Sequence, residues 1–411
     1  MYFQLAWRNI WRNPRRTIVI LTAVIIGVWS MIFLGALMRG MEVEMIRNSL
    51  KTLTGNIQIH EKNYRDDPVV ENSMTDPALL EKALKIALPE GANWAMRVRV
   101  NAMASNARHS SGVTLVGIDP AKEARISFIG KAVTNGRYLK TEDTNKILVG
   151  QALLDKFDAK IEHKLVLMTQ DMDQEIASKA FRIVGVFRAE MEATEKEFVF
   201  ATLSQAQKML KLKNSISEVA IALKEQNLDG GEEKTVSDNL SSILPATVCK
   251  VETWQELLPM MREYLKLFDN FIYIWHFVVF IAMGFGIVNT TLMAIFERMR
   301  EFGLLKALGM KPLWIVRGVI TESLFLLILG IVAGNITGII SVMLIDRIGI
   351  DLSALAAGVE MWGMPRILYP ELWTVDVVVA NLVVLLLGLL VSIYPAVKAA
   401  RFTPVEALVK I

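Results

Sequence analysis

The sequence predicts a membrane α-helical protein: four transmembrane helices, with an extracytoplasmic α+β domain inserted between the first and the second. Two observations carry this. Of the 411 residues 53% are hydrophobic, above the roughly 45–50% of an ordinary soluble chain. The excess is gathered into four uncharged blocks near the two ends, while the middle alternates like a soluble domain. The net charge of +3 is too small to argue for nucleic acid, and the single cysteine, Cys249, excludes an internal disulfide. His60, His109, His163 and His276 are scattered, so no metal centre is read from them.

Crossing the hydrocarbon core takes about 20 apolar residues. Thr17–Met38, Asn270–Phe296, Ser323–Ile345 and Val377–Val397 are each long enough and carry no charge, with Glu322 at the edge of the third. The first block is too long for a signal peptide and continues as a helix, so it is read as an uncleaved anchor. Lys and Arg near the span ends set the orientation. Arg8, Arg12, Arg15 and Arg16 precede the first span. Arg298, Arg300, Lys306, Lys311 and Arg317 lie between the second and third, and Lys398, Arg401 and Lys410 follow the fourth. The loop between the third and fourth is net acidic. Both termini and the 297–311 loop are therefore expected in the cytoplasm, and residues 39–269 outside.

The boundaries read in order are an amphipathic cytoplasmic helix over 1–16, the first span with a stalk over 17–39, and the outer domain over 40–268. The second span covers 269–296, a short cytoplasmic helix 297–313, and the third span 314–345. An outer loop over 346–374, the fourth span over 375–397 and a cytoplasmic tail over 398–411 complete the chain.

Within the outer domain, Asn56–His60 alternates as a short strand, and Asp76 followed by Pro77 opens a capped helix to Leu88. Arg97–Ser105, Val113–Ile118, Lys146–Val149, Lys164–Thr169, Phe181–Val186 and Val219–Leu223 read as strands. Gly150–Phe157, Ser204–Leu212 and Glu232–Ile243 read as helices. Lys62–Ser73 is polar and irregular, as expected of a mobile loop, and Gln226–Gly231 is a second loop. A split into two lobes is expected near Asp119–Gly136. From Trp254 a helical apolar pattern (Leu257, Leu258, Met261, Leu265, Phe268) runs into the second span without an obvious stop. A helix from there to Arg300 is about 70 Å long. With the outward continuation of the first span it forms a stalk.

No catalytic constellation stands out. A phosphate loop of the form G-x-x-x-x-G-K-[ST] is absent from the sequence. The informative segment runs from Glu297 to Gly309, amphipathic and ended by Gly309 and Pro312. Its Phe302, Leu305 and Leu308 suit a partner's groove, and its charges could orient docking. An interfacial helix lying on lipid fits the same residues, and the residues alone leave both readings open.

This segment resembles the coupling helix of the FtsX-like permease superfamily, the type VII ABC transporters. The match lies at Glu297, Arg298, Arg300, Glu301, Gly303, Lys306, Ala307 and Gly309. Leu5–Pro14 resembles the family's amphipathic leading helix, and Glu322 with Gly330, Gly334 and Gly338 resembles its third span. Tyr394, Pro395, Ala396, Lys398, Ala399, Ala400, Arg401, Pro404, Val405, Glu406, Ala407 and Leu408 resemble its C-terminal signature. The resemblance implies a MacB-like periplasmic domain, a bacterial inner-membrane location and a permease dimer, with a second copy or a paralogue. It implies that this chain is not itself an enzyme. ATP and Mg stay on two separate ABC ATPase subunits, and no cofactor is bound here. It implies mechanotransmission: ATP draws the cytoplasmic ends together and the outer domains move. Within the superfamily the chain is most similar to the lipoprotein-releasing Lol permeases, because no ATPase is fused to it and the 346–374 loop is long with Pro365 and Pro370. The expected cargo is a lipoprotein or lipid, with a periplasmic chaperone or adaptor as a further partner. The alternatives are a small-molecule or peptide exporter working with an adaptor and an outer-membrane duct, and a signalling permease that controls a cell-wall hydrolase.

On this reading the coupling residues are Glu297, Arg298, Arg300, Glu301, Phe302, Gly303, Leu305, Lys306, Leu308 and Gly309. An acyl chain leaves lipid only for an apolar opening, at about 0.8 kcal/mol per CH₂. The candidate lining in the outer halves of the first two spans is Trp29, Ile32, Phe33, Ala36, Phe271, Trp275 and Val278; packing on lipid or on one another explains the same residues. Gly330, Gly334 and Gly338 form a small-residue stripe for close helix packing, within one chain or between two. Glu322 is expected to snorkel, or to pair with Arg317 or Arg300.

Overall fold

The structure, a computed structural model, describes residues 7–8, 10–224, 231–352 and 367–403. The expectations placed on residues 1–6, on the 226–230 loop, on Pro365 and on the signature from Pro404 onward lie outside the described residues. The chain divides into two compact units. One comprises residues up to Glu42, Tyr264–Asp351 and the segment from Ile367 onward; the other is built on Val43–Glu263.

The elements used below are, in chain order, α1 (Pro14–Ser49), β1 (Ile57–Glu61), α2 (Pro77–Ala87), β2 (Asn93–Ser105), β3 (Ser110–Ile118), β4 (Val133–Gly136), β5 (Lys146–Gly150), β6 (Lys164–Gln170), β7 (Ile176–Phe187), β8 (Phe198–Thr202), β9 (Glu218–Ala222), α3 (Gly231–Ile243), β10 (Cys249–Thr253), α4 (Pro259–Glu297), α5 (Met299–Ala307), α6 (Pro312–Ile348) and α7 (Thr374–Arg401). Four of these, α1, α4, α6 and α7, are long and apolar enough to cross a membrane.

Glycines set how three of the long helices approach. A Cβ on Gly330, Gly334 or Gly338 of α6 would stand 2.5, 2.7 or 3.2 Å from Val24, Val28 or Ile32 of α1. The small-residue stripe therefore serves packing inside this chain, because only hydrogen leaves room for the valine side chains. Gly388 of α7 meets Leu327 of α6 in the same way, at 2.8 Å. Asn335 and Asn381 exchange amide hydrogen bonds of 2.8 and 3.1 Å between α6 and α7, which satisfies two polar groups where water is scarce.

In the other unit ten strands form one sheet in the order β10-β1-β9-β2-β3-β8-β5-β7-β4, with β6 bridging β2 and β7. Following the ladders from β2 through β3, β8, β5, β7 and β6 returns to β2, so six strands close into a barrel. β2 manages two partners on one side by length: residues 93–97 pair with β9 and 103–105 with β6. The barrel interior holds Val98, Val100, Leu115, Ile147, Val149, Leu167, Phe181, Ile183 and Val199. The remaining strands extend as a wing whose apolar face, with Ile57, Ile59, Val219 and Ile221, is covered by Leu80 and Leu84 of α2 and Val236 and Leu240 of α3.

This corrects the expected lobe boundary. The division does not fall at Asp119–Gly136 but along β2, since the wing pairs the two ends of the segment, β1 with β9 and β10. Two further expectations are overturned. Lys62–Ser73 is pinned, not loose: Tyr64 and Val70 are buried, and the Tyr64 hydroxyl donates to the Arg99 carbonyl at 2.8 Å. The helix from Trp254 breaks at Leu258 (φ −119°, ψ 65°) and restarts at Pro259. A proline disfavours helical backbone in the residue before it, and the second long helix is thus 39 residues, about 58 Å. The Asp76 cap forms as read, its carboxylate accepting from the Leu79 amide at 3.1 Å.

Candidate functional site

The segment between α4 and α6 is a separate short helix. Arg298 leaves helical geometry (φ −102°, ψ 12°) and ends α4; Gly309, at φ +90°, ends α5, and Pro312 opens α6. A positive φ of this kind is where glycine carries no Cβ penalty. Three sets of contacts tie α5 to the rest of the helical unit. Phe302 is 6% exposed and packs with Ile295, Ile315, Val319, Ala396 and Ala399. The Lys306 ammonium donates to the carbonyls of Ala400 (2.6 Å) and Phe402 (2.7 Å) at the end of α7, where the last helical carbonyls lack partners. Glu301 accepts from Arg12 and, at 3.1 Å, from Arg298. Burial pushes the Glu301 carboxyl up, but these hydrogen bonds and charges outweigh it and hold the group below its ordinary value.

Glu322 of α6 is the centre of this end. It accepts from Arg16 at 2.6 Å and from Arg298 at 3.1 Å, with all three side chains largely buried. The expected partners, Arg317 and Arg300, are not the ones it takes. Arg300 is exposed, and the Arg317 guanidinium lies over the Trp314 ring at 5.1 Å. Arg16 stands on the first turn of α1, so a single carboxylate joins the start of α1, the α4–α5 break and α6.

The expectation that Phe302 would reach into a partner is overturned, since it is already buried in its own chain. Leu305 is half-buried beside it. Leu304, 56% exposed, and Leu308, 77% exposed, form the open apolar face, four residues apart on one side of the helix. Of the other residues named for coupling, Gly303 is buried, Arg300 and Gly309 are exposed, and Glu297 is exposed beside Asn13.

The proposed apolar lining divides. Ile32 and Ala36 are buried, Ile32 against Gly338 of α6, and the Ala36 carbonyl accepts from the Glu371 amide at 2.9 Å. Trp29 stacks on Phe33 at 5.5 Å and donates to Ser341 at 3.1 Å. On α4, Phe271 and Val278 are exposed, while the indole nitrogen of Trp275 is buried without a partner among the described residues. Residues 29, 271 and 278 thus offer open apolar surface, Phe33 is half-buried under Trp29, and 32 and 36 are packing.

At the opposite ends of these helices sits a second ionic centre that patterning did not single out. Arg39 of α1 donates to Glu42 (2.7 Å), to Asp269 of α4 (2.7 Å) and to Asp376 of α7 (2.7 Å), with Trp373 over its guanidinium at 4.3 Å. The signal was present: each of these charges flanks an uncharged block. Among the described residues the acids that converge as metal ligands would are Asp171, Asp173 and Glu175. The Lys211 ammonium already contacts all three at 2.8–3.0 Å.

Comparison with known proteins agrees with both units. Residues 17–232 match the MacB-like periplasmic core domain family, and residues 273–404 match the FtsX-like permease C-terminal family. The lipoprotein-releasing system transmembrane protein LolE of Haemophilus influenzae is 22% identical over 99% of this chain and 98% of its own. LolC of Xylella fastidiosa is 23% identical over 79% of each. The macrolide export ATP-binding/permease protein MacB of Chlorobium luteolum is 35% identical, over 30% of this chain and 16% of its own. The periplasmic region of MacB from Actinobacillus actinomycetemcomitans aligns with 53% of this chain and 97% of its own, at 11% identity and a TM-score of 0.36. With one family covering more than half of the chain and the other its last three spans, this protein belongs to the FtsX-like ABC transporter permeases that carry a MacB-like periplasmic core domain.

Proposed function

We propose that this permease releases lipoproteins or lipids from the inner membrane, driven by a separate ATPase. The supporting observation is the reach of the similarity. It extends over 99% of this chain and 98% of a relative named for lipoprotein release, against 16% of the macrolide export protein's length. The α5 end faces the cytoplasm with both termini. There Leu304 and Leu308 are the apolar anchors for an ATPase subunit, which holds ATP and Mg. A second permease copy or paralogue completes the complex, and a periplasmic chaperone or adaptor receives the cargo.

The contacts support this coupling. A push on α5 reaches α6 and α7 through buried Phe302 and Lys306, and α1 through the Glu322 centre, because packed helices shift as units. Photo-crosslinkers at Phe33, Leu37, Phe271 and Trp275 of the native complex test the cargo. Labelling of a lipoprotein or lipid that falls when ATP is added supports release. Labelling of bulk lipid alone, unchanged by ATP, overturns it. The local 35% identity to a macrolide export protein favours small-molecule export as the second reading, and a labelled small molecule would select it.

A further inference from the structure

The periplasmic domain carries a cleft of about 290 Å³, walled by β1, the turns after it, β2 and Leu257–Leu258. Side chains alternate along a strand, so Arg97, Arg99 and Asn101 of β2 share a face. Arg97 is fully engaged by Glu123 and Glu218. Two residues on, Arg99 lines the cleft half-buried. Its guanidinium lies over the Phe198 ring at 5.4 Å, and among the described residues no carboxylate comes within ion-pair distance of it.

The other charged groups of the wall are satisfied within the chain. Arg65 donates to Glu252 at 2.9 Å and to the Leu257 carbonyl at 3.1 Å. His60 bonds Glu252 at 2.6 Å and the Glu61 carbonyl at 2.9 Å. Arg97 with its two glutamates leaves one negative charge; Glu252 with Arg65 and Lys250 leaves one positive. Arg99 is the surplus cation, a fork of donors shaped for phosphate or carboxylate. Beside it Pro68, Leu257 and Leu258 give the cleft an apolar rim that is not buried.

We propose that this cleft binds an amphiphile with one anionic group, the phosphate or carboxylate held by Arg99 and a short apolar stem laid on Leu257 and Leu258. The same chemistry arrives either as an anionic lipid headgroup or as a dissolved alkyl phosphate or carboxylate. The site is independent of which cargo the permease moves.

The test uses the full chain in phosphatidylcholine nanodiscs and follows hydrogen-exchange protection of residues 57–65 and 97–101. Added hexyl phosphate should protect both segments saturably, with a midpoint about tenfold below that of inorganic phosphate. Arg99→Gln should raise the midpoint about tenfold, the worth of a charge-assisted contact, and Arg99→Lys should recover part of it. Arg99→Gln breaks no ion pair and gives up only the ring contact with Phe198, so its thermal midpoint should fall by a few degrees at most. Protection without additive in nanodiscs doped with phosphatidylglycerol identifies the lipid as the source; its absence there, with hexyl phosphate still bound, identifies a dissolved ligand. No saturable protection, or a midpoint unmoved by Arg99→Gln, overturns the site. Equal binding of inorganic and hexyl phosphate overturns the apolar stem.

Discussion

The periplasmic domain and the helical unit each bury an arginine–glutamate triad, of opposite make-up. In the domain one guanidinium, Arg97, is shared by Glu123 and Glu218. In the helical unit one carboxylate, Glu322, is shared by Arg16 and Arg298. The first is sealed, with side chains 1%, 0% and 3% exposed; the second is 12%, 10% and 16% exposed. The first lies inside one sheet: β2 and β9 pair directly, and the turn bearing Glu123 follows β3. The second joins three segments that no ladder connects. Buried charge that is surrounded by regular hydrogen bonding serves the fold, whereas charge that bridges separate helices is where the proposed coupling would pass between them.

Four outcomes would break or sharpen this contrast. The largest concerns Arg97→Met, which leaves two buried carboxylates without their cation. Removing one partner of a buried pair costs about 3–5 kcal/mol. A fragment spanning Val43–Glu263 should melt cooperatively, and the variant should lose most of its midpoint stability. A variant melting like the wild type would remove the structural role of the first triad.

Next is Gly334→Val. Its Cβ would stand 2.7 Å from Val28, and overpacking of that kind costs about 1–3 kcal/mol. Thermal inactivation of the purified chain in detergent should come earlier. Gly286→Ala, whose Cβ has 3.8 Å to the Ala23 methyl, should change nothing. Equal behaviour of the two would mean that α1 and α6 are not packed as closely as described.

On the proposed function, Glu322→Gln should leave insertion and co-purification of the separate ATPase intact, because helix packing is untouched. Coupled work should fall severalfold, in line with about 0.5–2 kcal/mol for a residue on a coupling path. A stability loss as large as that of Arg97→Met would erase the difference between the triads.

The smallest effect is on pH. Burial pushes the Glu252 carboxyl up, but hydrogen bonds from Lys250 and His60 and the charge of Arg65 outweigh it, so the group sits below its ordinary value. A depressed carboxylate contributes stability above its unfolded value and loses it as pH falls through the folded one. The fragment's melt should be flat above about pH 5 and decline below about pH 4. Glu252→Gln should flatten that decline; an unchanged slope would assign it to Asp143, which the Arg137 hydrogen bonds also hold low.

How far the sequence could be read varies by element. The Asp76–Pro77 start of α2 and the Gly309 and Pro312 signals around α5 were legible because a cap or a stop is decided within four residues. Phe302 was misread because the amphipathic pattern shows that a helix has an apolar face, not what covers it. Here that face turns to Ile315, Val319 and Ala396 of the same chain, and the open face belongs to Leu304 and Leu308. Strand β8, the buried middle of the sheet, escaped notice because Phe198–Thr202 has no alternation to read.

The sequence by itself determined the four spans, the separate domain between the first two, and the short helix after the second. These depend on local composition over about 20 residues or fewer. Only the tertiary structure decided that β2 serves both barrel and wing, that the glycines of α6 receive Val24, Val28 and Ile32, and which acid each arginine takes. The Arg97–Glu218 pair is separated by 121 residues and Arg16–Glu322 by 306. At such separations many charges are chemically equivalent along the chain, and burial together in one packed arrangement is what selects the pair.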